Sequence, residues 1–555
     1  MKKSRRILAI LLTLAVSLAL LAACGGGGTT DSGGTTGGGT TGGGGGSNTP
    51  APPVSTPFQP GGEAPDAPAP EGGNFAEEIT IICDNNAVSV LNAFMPGAGA
   101  PANSWTTNLI YDRLIYPLGG GEFAPYLATR WETSDYKTFK FWLRDDVYFH
   151  NGEKFTAHDV VWTVTKAGED PAGTNYAYWH PVPVVRVQAL DDYTVEIELA
   201  SVFIDYIFNV AQPYCLIANE KAMKADPVDG AMIGTGAFKL TEFVPSNYWI
   251  VERNENYWGD PAITRKITFR FIPEQGARTV MMLNDEAQLC FGIGGDDMHI
   301  FETHDDFQLF NFTFNNCNVL MFNLDDPLLS DYNLRMAIIH GLNREEIAVV
   351  AAGAYAAPVT DGNVWGFESE FRLWDIPMIP EDTNLAKEFL AKSNYKGEPL
   401  EIATSIITNS RAAEMVQQQL LPLGINIELK VLDGAGLTAY NDPANNQSQI
   451  VIHVVVMTEA ASSSRASVYP GMNANRVMYN NPIVTDLYDR AMVETNLNTR
   501  RDLYHQIQRV IAEDPPRINL FWRMNAAVAV PGIGGFTLPS TALYDFRYLY
   551  WDLDA

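Results

Sequence analysis

The chain has little cysteine, few histidines and none of the spacings that those residues need to hold a metal. Five cysteines occur in 555 residues, without a C-x-x-C pair or a zinc-binding spacing. The eight histidines include no H-E-x-x-H pattern. Glu153 lies between His150 and His158, and Asp159 follows directly, but a predicted turn and helix start separate the two histidines. We therefore predict no metal site and no cofactor. Two disulfides and four buried thiols are both compatible with Cys83, Cys215, Cys290 and Cys317.

An excess of positive charge is also lacking, since the formal net charge is −28. Nucleic-acid binding needs clustered Lys and Arg, so this function class is excluded. Docking of the folded body on anionic lipid is excluded for the same reason. The G-x-S-x-G nucleophile turn and the Gly-Lys-Ser/Thr phosphate loop are both absent. We therefore predict no catalytic residues, and a surface hydrolase with an unrecognised site is the least favoured alternative.

Long apolar runs are absent after the first 24 residues, and the run found there is Ile7 to Leu21. It follows a basic start, is too short for a stable membrane span and ends in Leu21-Ala22-Ala23-Cys24. This ending resembles the bacterial lipobox, in which cleavage precedes a lipidated cysteine. The alternative is an ordinary secretory signal with an unrelated cysteine. We predict a signal peptide over residues 1–23 and a lipid anchor on Cys24, at the outer face of the cytoplasmic membrane.

The segment from Cys24 to Asn74 is predicted to be a tether. It consists mainly of Gly, Thr, Ser, Pro and Ala, with Val54 and Phe58 as large apolar residues. Such a composition buries too little apolar surface to offset chain entropy, which predicts disorder. Flexible-coil scaling gives a span of roughly 40 Å. A lipid anchor followed by such a tether is typical of Gram-positive bacteria.

The remaining chain has the periodicities of a mixed α/β fold. Phe139 to Leu143 alternates apolar and polar residues, which predicts a half-buried strand. Trp105 to Leu114 is predicted to be a helix. Thr156 is predicted to cap another helix, with an acidic residue in its first turn. A helix from Arg411 to Leu423 is predicted to end at Gly424, a residue suited to a left-handed C-cap.

Four ordered blocks carry a family resemblance. They resemble the peptide/nickel class of solute-binding proteins that feed ABC importers, also called family 5. The blocks are Leu127 to Val160; Gly234-Thr235-Gly236-Ala237-Phe238 with Arg253 to Gly259; Asn323 to Ile347; and the predicted helix Arg501 to Pro516 running into Leu520-Phe521.

The resemblance implies an α/β fold of the two-lobed periplasmic-binding-protein type (type II, the large cluster with an extra inserted domain). The ligand cleft lies between the lobes and closes by a hinge. The implied divisions are lobe I at 75–121, 231–323 and 531–555; an inserted domain at 122–230; and lobe II at 324–530. We expect a monomer whose partners are a solute and the permease subunits of an ABC transporter.

The sequence departs from the peptide-binding relatives at the implied amino-group site. Those proteins follow a strand with a Gly-Trp-x-x-Asp-Tyr-like segment, whose Asp holds the α-amino group of the peptide. Here the strand Ile450 to Met457 is followed by Thr458 and Glu459, and the Trp is absent. Glu459 can pair with an ammonium group and Arg465 with a carboxylate. The alternative is that both are solvated loop charges.

Further cleft-wall candidates come from the first helix and from the loop after Gly353. They are Asn108, Tyr111, Trp365 and Trp374, and each has plain packing as its alternative. Peptide, or another amine-bearing solute, is the favoured ligand because it is the commonest one in the family. Nickel or a metal chelate on the same fold is the alternative, which the scattered histidines disfavour.

Overall fold

A computed structural model describes residues 72–83, 101–119, 122–170, 174–353, 356–363, 365, 369–405, 407–456, 461–472, 474–536 and 545–555. The predicted signal peptide, Cys24, most of the predicted tether and Glu459 lie outside the described residues. A helix both long and apolar enough to cross a membrane does not occur among the residues described.

The described chain is mixed α/β, as the periodicities predicted. Its strands are β1 Glu78–Cys83, β2 Ile115–Gly119, β3 Glu122–Pro125, β4 Ala128–Glu132, β5 Thr138–Leu143, β6 Val184–Asp191, β7 Thr194–Leu199, β8 Phe238–Val244, β9 Tyr248–Arg253, β10 Lys266–Phe271, β11 Leu289–Phe291, β12 Gln308–Phe322, β13 Ala356–Pro358, β14 Leu400–Thr404, β15 Ile427–Val431, β16 Ile450–Val456, β17 Arg517–Ala529, β18 Ile533–Gly534 and β19 Tyr550–Trp551.

The helices lie mostly between these strands. They are α1 Pro101–Ile110, α2 Ala157–Ala167, α3 Thr174–Trp179, α4 Tyr206–Val210, α5 Glu220–Ala225, α6 Pro227–Gly230, α7 Gln275–Leu283, α8 Gly295–Glu302, α9 Tyr332–His340, α10 Arg344–Ala352, α11 Thr383–Lys392, α12 Ile407–Leu420, α13 Gly434–Tyr440, α14 Ala461–Val468, α15 Pro482–Ala491 and α16 Leu497–Glu513, with 3₁₀ turns at Leu421–Leu423 and Pro443–Asn445.

Local sequence signals explain several of these boundaries. The carboxylate of Asp159 accepts the N–H of Thr156 at 2.9 Å, which fixes the start of α2 as predicted. Gly424 has φ +81°, so the predicted left-handed stop after α12 is confirmed. The helix predicted from Trp105 to Leu114 instead runs from Pro101 to Ile110. The chain leaves the helix there because Asp112 is bound by a distant side chain, the indole N–H of Trp258, at 2.8 Å.

One large sheet runs through both lobes, in the order β15-β14-β16-β12-β17-β11-β1-β10-β9-β8, with β13 also paired to β17. The predicted divisions place β1 and β8 to β12 in lobe I, and β13 to β17 in lobe II. The long strands β12 and β17 pair with each other across this division. Their lobe I ends pair as Gln308↔Ala529, and their lobe II ends pair as Met321↔Arg517.

A second, antiparallel sheet has the order β4-β5-β7-β6 and its own apolar core. The buried rings of Phe139 and Phe141 on β5 belong to this core, together with Val160 and Val164 of α2. We call this unit the inserted domain. The exact domain boundaries given above remain predictions.

Candidate ligand cleft

The carboxyl ends of the strands of the two lobes face each other across the middle of the large sheet. In lobe I, β11 runs parallel to β1 and ends at Phe291, which pairs with Ala527 of β17. In lobe II, β16 ends at Val456, next to the level at which Trp522 of β17 pairs with Cys317. Four residues of β17 lie between Trp522 and Ala527, so the two are five residue steps apart, or about 17 Å of strand. Ligands of open α/β sheets bind outside the carboxyl ends of strands, so this gap is the candidate cleft.

The two long strands change register at the same level. Thr313 pairs with Met524, whereas Cys317 pairs with Trp522, so β12 uses four residues where β17 uses two. Such an irregularity interrupts the hydrogen-bond ladder and bends the strand. The connection between the lobes is therefore a suitable place for a hinge.

Polar side chains that the sequence analysis did not single out lie at the lobe II side of this gap. Thr404 ends β14, Asn318 lies on β12, and Asn409 lies in the first turn of α12. All three are buried, and Thr404 Oγ1 and both amide atoms of each Asn have no hydrogen-bond partner. An asparagine inside the apolar run of β12 was the sequence signal that could have revealed them.

Arg465 lies on α14, which follows the chain segment that contains Glu459. Its guanidinium group stacks on the ring of Tyr469 at 3.7 Å and approaches Asp489 at 4.0 Å. The side chain is 24% exposed, and its Nε atom has no hydrogen-bond partner. Arg465 is thus half-buried and retains donor capacity.

Asn108 and Tyr111 lie at the end of α1, where both make contacts inside the protein. The Tyr111 hydroxyl donates to the carbonyl of Ala231 at 2.7 Å, and burial raises its pKa. The Asn108 Oδ1 atom accepts from Arg113 at 2.7 Å, while its Nδ2 atom is buried without a partner. Tyr111 is therefore a packing residue in this conformation, and Asn108 has one donor to spare.

The two tryptophans differ in their surroundings. Trp365 is buried in a lobe II core, with its ring against Tyr504 at 5.3 Å between centroids. Trp374 is 59% exposed and lies 4.7 Å from the guanidinium group of Arg372. Trp365 is therefore a packing residue in this structure, whereas Trp374 is open to solvent.

The family motifs meet at the junction between lobe I and the inserted domain. A Cβ atom on Gly234 would lie 1.9 Å from the Ile110 carbonyl oxygen, and one on Gly236 would lie 2.4 Å from the oxygen of Leu109. The two glycines therefore allow the backbone to approach the end of α1 more closely than any other residue would.

His150, in the first sequence block (Leu127 to Val160), forms hydrogen bonds with both of these glycines. Its Nδ1 atom accepts the N–H of Gly234 at 3.3 Å, and its Nε2–H donates to the carbonyl of Gly236 at 3.0 Å. Burial lowers the pKa of His150 to about 4. The ring therefore works as a neutral structural link between two backbone groups.

A buried carboxylate completes the junction. Asp112 accepts from the indole of Trp258 at 2.8 Å and from the Thr235 hydroxyl at 3.0 Å. Burial raises the pKa of Asp112, and these hydrogen bonds oppose that rise. The Tyr257 hydroxyl contacts Asp112 at 3.3 Å and the Tyr126 hydroxyl at 2.9 Å. Tyr257 and Trp258 thus make contacts inside the protein at this junction.

Among the described residues, no group of three or more His, Cys, Asp or Glu side chains is placed to hold a metal ion. The cysteines of the described chain are buried thiols. They are Cys83, Cys215, Cys290 and Cys317.

The model of the bacterial extracellular solute-binding proteins, family 5 Middle, matches residues 122–470. The glutathione-binding protein of Pectobacterium atrosepticum is 22% identical over 437 residues, 75% of this chain and 83% of that protein. The nickel-binding periplasmic protein of Escherichia coli is 32% identical over 224 residues, 40% of this chain and 42% of that protein.

A solved structure shares the fold. It is the ABC transporter-associated periplasmic binding protein DppA of Helicobacter pylori, in complex with the peptide STSA. The TM-score is 0.74 at 21% sequence identity, and the match covers 86% of this chain and 98% of that one.

Proposed function

This chain belongs to the bacterial extracellular solute-binding proteins of family 5, and we propose that it captures a peptide or a similar amine-bearing solute for an ABC permease. The resemblance read from the four sequence blocks and the two-lobed α/β fold are both confirmed. The protein is an extracytoplasmic solute-binding protein of ABC importers and not an enzyme.

The cleft supports a polar solute. Facing strand ends and a register break provide a gap with a hinge behind it. Unpartnered buried groups of Thr404, Asn318 and Asn409 at the lobe II side offer donors and acceptors to the solute. Arg465 would bind a carboxylate, and Glu459 would bind an ammonium group. The gap between facing strand ends is the observation that carries the proposal.

Calorimetry of Glu459→Gln tests the ligand class. Loss of one partner of a buried charge pair should cost about 2–5 kcal/mol of binding free energy. Wild type and variant would be titrated with the dipeptide Ala-Leu and with N-acetyl-Ala-Leu. Glu388→Gln, on an exposed position of α11, is the matched control. Equal affinities in all combinations would show that Glu459 is a surface charge.

Nickel or a metal chelate is a second candidate, because one relative at 32% identity is named a nickel-binding protein. Titration with nickel chloride, with and without free histidine, separates this candidate from the first. If nickel binds and neither Ala-Leu nor glutathione does, the result would favour a nickel-binding function.

The predicted anchor has its own test. A lipoprotein cysteine with several acyl chains holds a membrane firmly, whereas a single chain binds only marginally. Cys24→Ala should therefore abolish labelling with radioactive fatty acid and release the protein from membranes. If the Cys24→Ala variant still incorporates the fatty acid, Cys24 is not the lipidated residue, and residues 1–23 would be an ordinary secretory signal.

Closure of the lobes is the expected response to solute. Hinge closure makes the molecule more compact, so binding should lower the radius of gyration in small-angle scattering. A carrier must release its solute intact, so the solute should be chemically unchanged. Turnover products in the same samples would contradict the proposal.

A further inference from the structure

One ion pair joins the inserted domain to lobe II. Asp205 immediately precedes α4 of the inserted domain, and Arg500 lies on α16 of lobe II. Arg500 donates to the Asp205 carboxylate across 295 residues of sequence. The two side chains are 11% and 7% exposed, so both charges are largely removed from water.

Apolar contacts surround this pair. The Arg500 guanidinium group lies 5.1 Å from the ring centroid of Phe371 and 5.5 Å from that of Tyr504. Met492, which directly follows α15 of lobe II, packs against the core of the inserted domain. The lobe II side of the contact therefore holds Arg500 in place through its own aromatic residues.

The partners lie on opposite sides of the hinge. The inserted domain is held to lobe I by the Tyr126–Tyr257 hydroxyl contact and by the bond from His150 to Gly236. Lobe II is connected to lobe I through β12 and β17, whose ladder is interrupted at the level of the cleft. Bending there would separate Asp205 from Arg500.

We infer that the Asp205–Arg500 pair is a latch, which holds the inserted domain against lobe II while the cleft is closed. The inference goes beyond the proposed function, because it applies to any solute. Asp205 Oδ2 and Arg500 Nε have no hydrogen-bond partner, so the attraction within the pair is partly offset by the cost of removing these atoms from water. Water would solvate both groups on opening, which keeps the intact latch easy to release.

An intact buried ion pair contributes little net stability to the closed form, but removal of one partner should destabilise that form strongly. Closure would then bury an unpaired charge. For Asp205→Asn we expect the ratio of closed to open molecules to fall by at least about 30-fold. The measurement is the distance between spin labels on Val185→Cys and Ile483→Cys, which are 63% and 61% exposed. A Cys24→Ala background leaves only buried thiols as competing sites.

Two further variants decide the result. Arg501→Gln, which removes a neighbouring pair with Glu370 inside lobe II, should leave the distance unchanged. Asp205→Asn combined with Arg500→Met removes both charges and should restore the closed distance. An unchanged distance in Asp205→Asn, or a double variant as open as the single one, would overturn the latch. The distance distributions would be recorded without peptide and with Ala-Leu, because solute is expected to increase the closed fraction. A failure of Ala-Leu to bind would affect only the proposed function, whereas equal closed fractions in wild type and Asp205→Asn under both conditions would overturn the latch.

Discussion

His150 should make the stability of this protein depend on pH in a narrow window. In the folded protein its Nδ1 atom accepts the N–H of Gly234, while Nε2–H donates to Gly236. Protonation would place a second ring N–H against the N–H of Gly234 and a positive charge in a buried site. The folded-state pKa of His150 is lowered to about 4 from its usual 6.5, chiefly by burial.

Proton linkage gives the direction in which the stability changes with pH. Between pH 6.5 and 4 the unfolded chain binds a proton at this residue and the folded chain does not, so stability rises with pH. The contribution of His150 is fully present above pH 6.5 and is lost as the pH falls towards 4. A difference of about 2.5 pKa units corresponds to roughly 3 kcal/mol.

Urea unfolding at pH values from 4 to 7.5 measures this contribution. Carboxylates also titrate in the range, so the informative quantity is the difference between wild type and His150→Gln. That difference should shrink by about 3 kcal/mol as the pH falls through the window, because glutamine does not titrate. His158→Gln, at an exposed position, serves as the control. Parallel curves for wild type and His150→Gln would refute the reasoning.

Two further predictions concern the same junction. Gly234→Ala should destabilise the fold by more than about 3 kcal/mol in urea unfolding, because its Cβ would clash with the Ile110 carbonyl. Gly276→Ala, with open space on α7, should be neutral or stabilising by up to about 1 kcal/mol; equal losses would contradict the packing argument. Trp258→Phe removes a donor from buried Asp112 and should cost about 1.5–3 kcal/mol, and an unchanged midpoint would show that the bond is dispensable.

Local patterns were sufficient for much of the fold. The alternation around Phe141, the cap at Thr156 and the stop at Gly424 depend on neighbouring residues, and the structure has all three. The predicted helix up to Leu114 was wrong at its end, because Asp112 is held by Trp258, which is 146 residues away. Such a contact leaves no periodic signal near α1.

The candidate site was harder to predict, because its parts come from distant strands. Thr404 and Asn318 are brought to one edge of the sheet by strand order and register, which no local window contains. The Asp205–Arg500 pair likewise joins two units whose contact depends on the whole topology. Charge and composition could exclude nucleic acid as a partner, but they could not identify these pairs.

The family signature and the ligand preference are carried by different parts of this molecule. Gly234, Gly236 and His150 contact backbone atoms at a buried junction, so their replacement would disturb the scaffold. The candidate cleft is bordered instead by the ends of β11, β14 and β16. One scaffold can therefore carry binding sites for different solutes, and under the proposed function Glu459 and Arg465 would set the ligand preference without disturbing the buried junction.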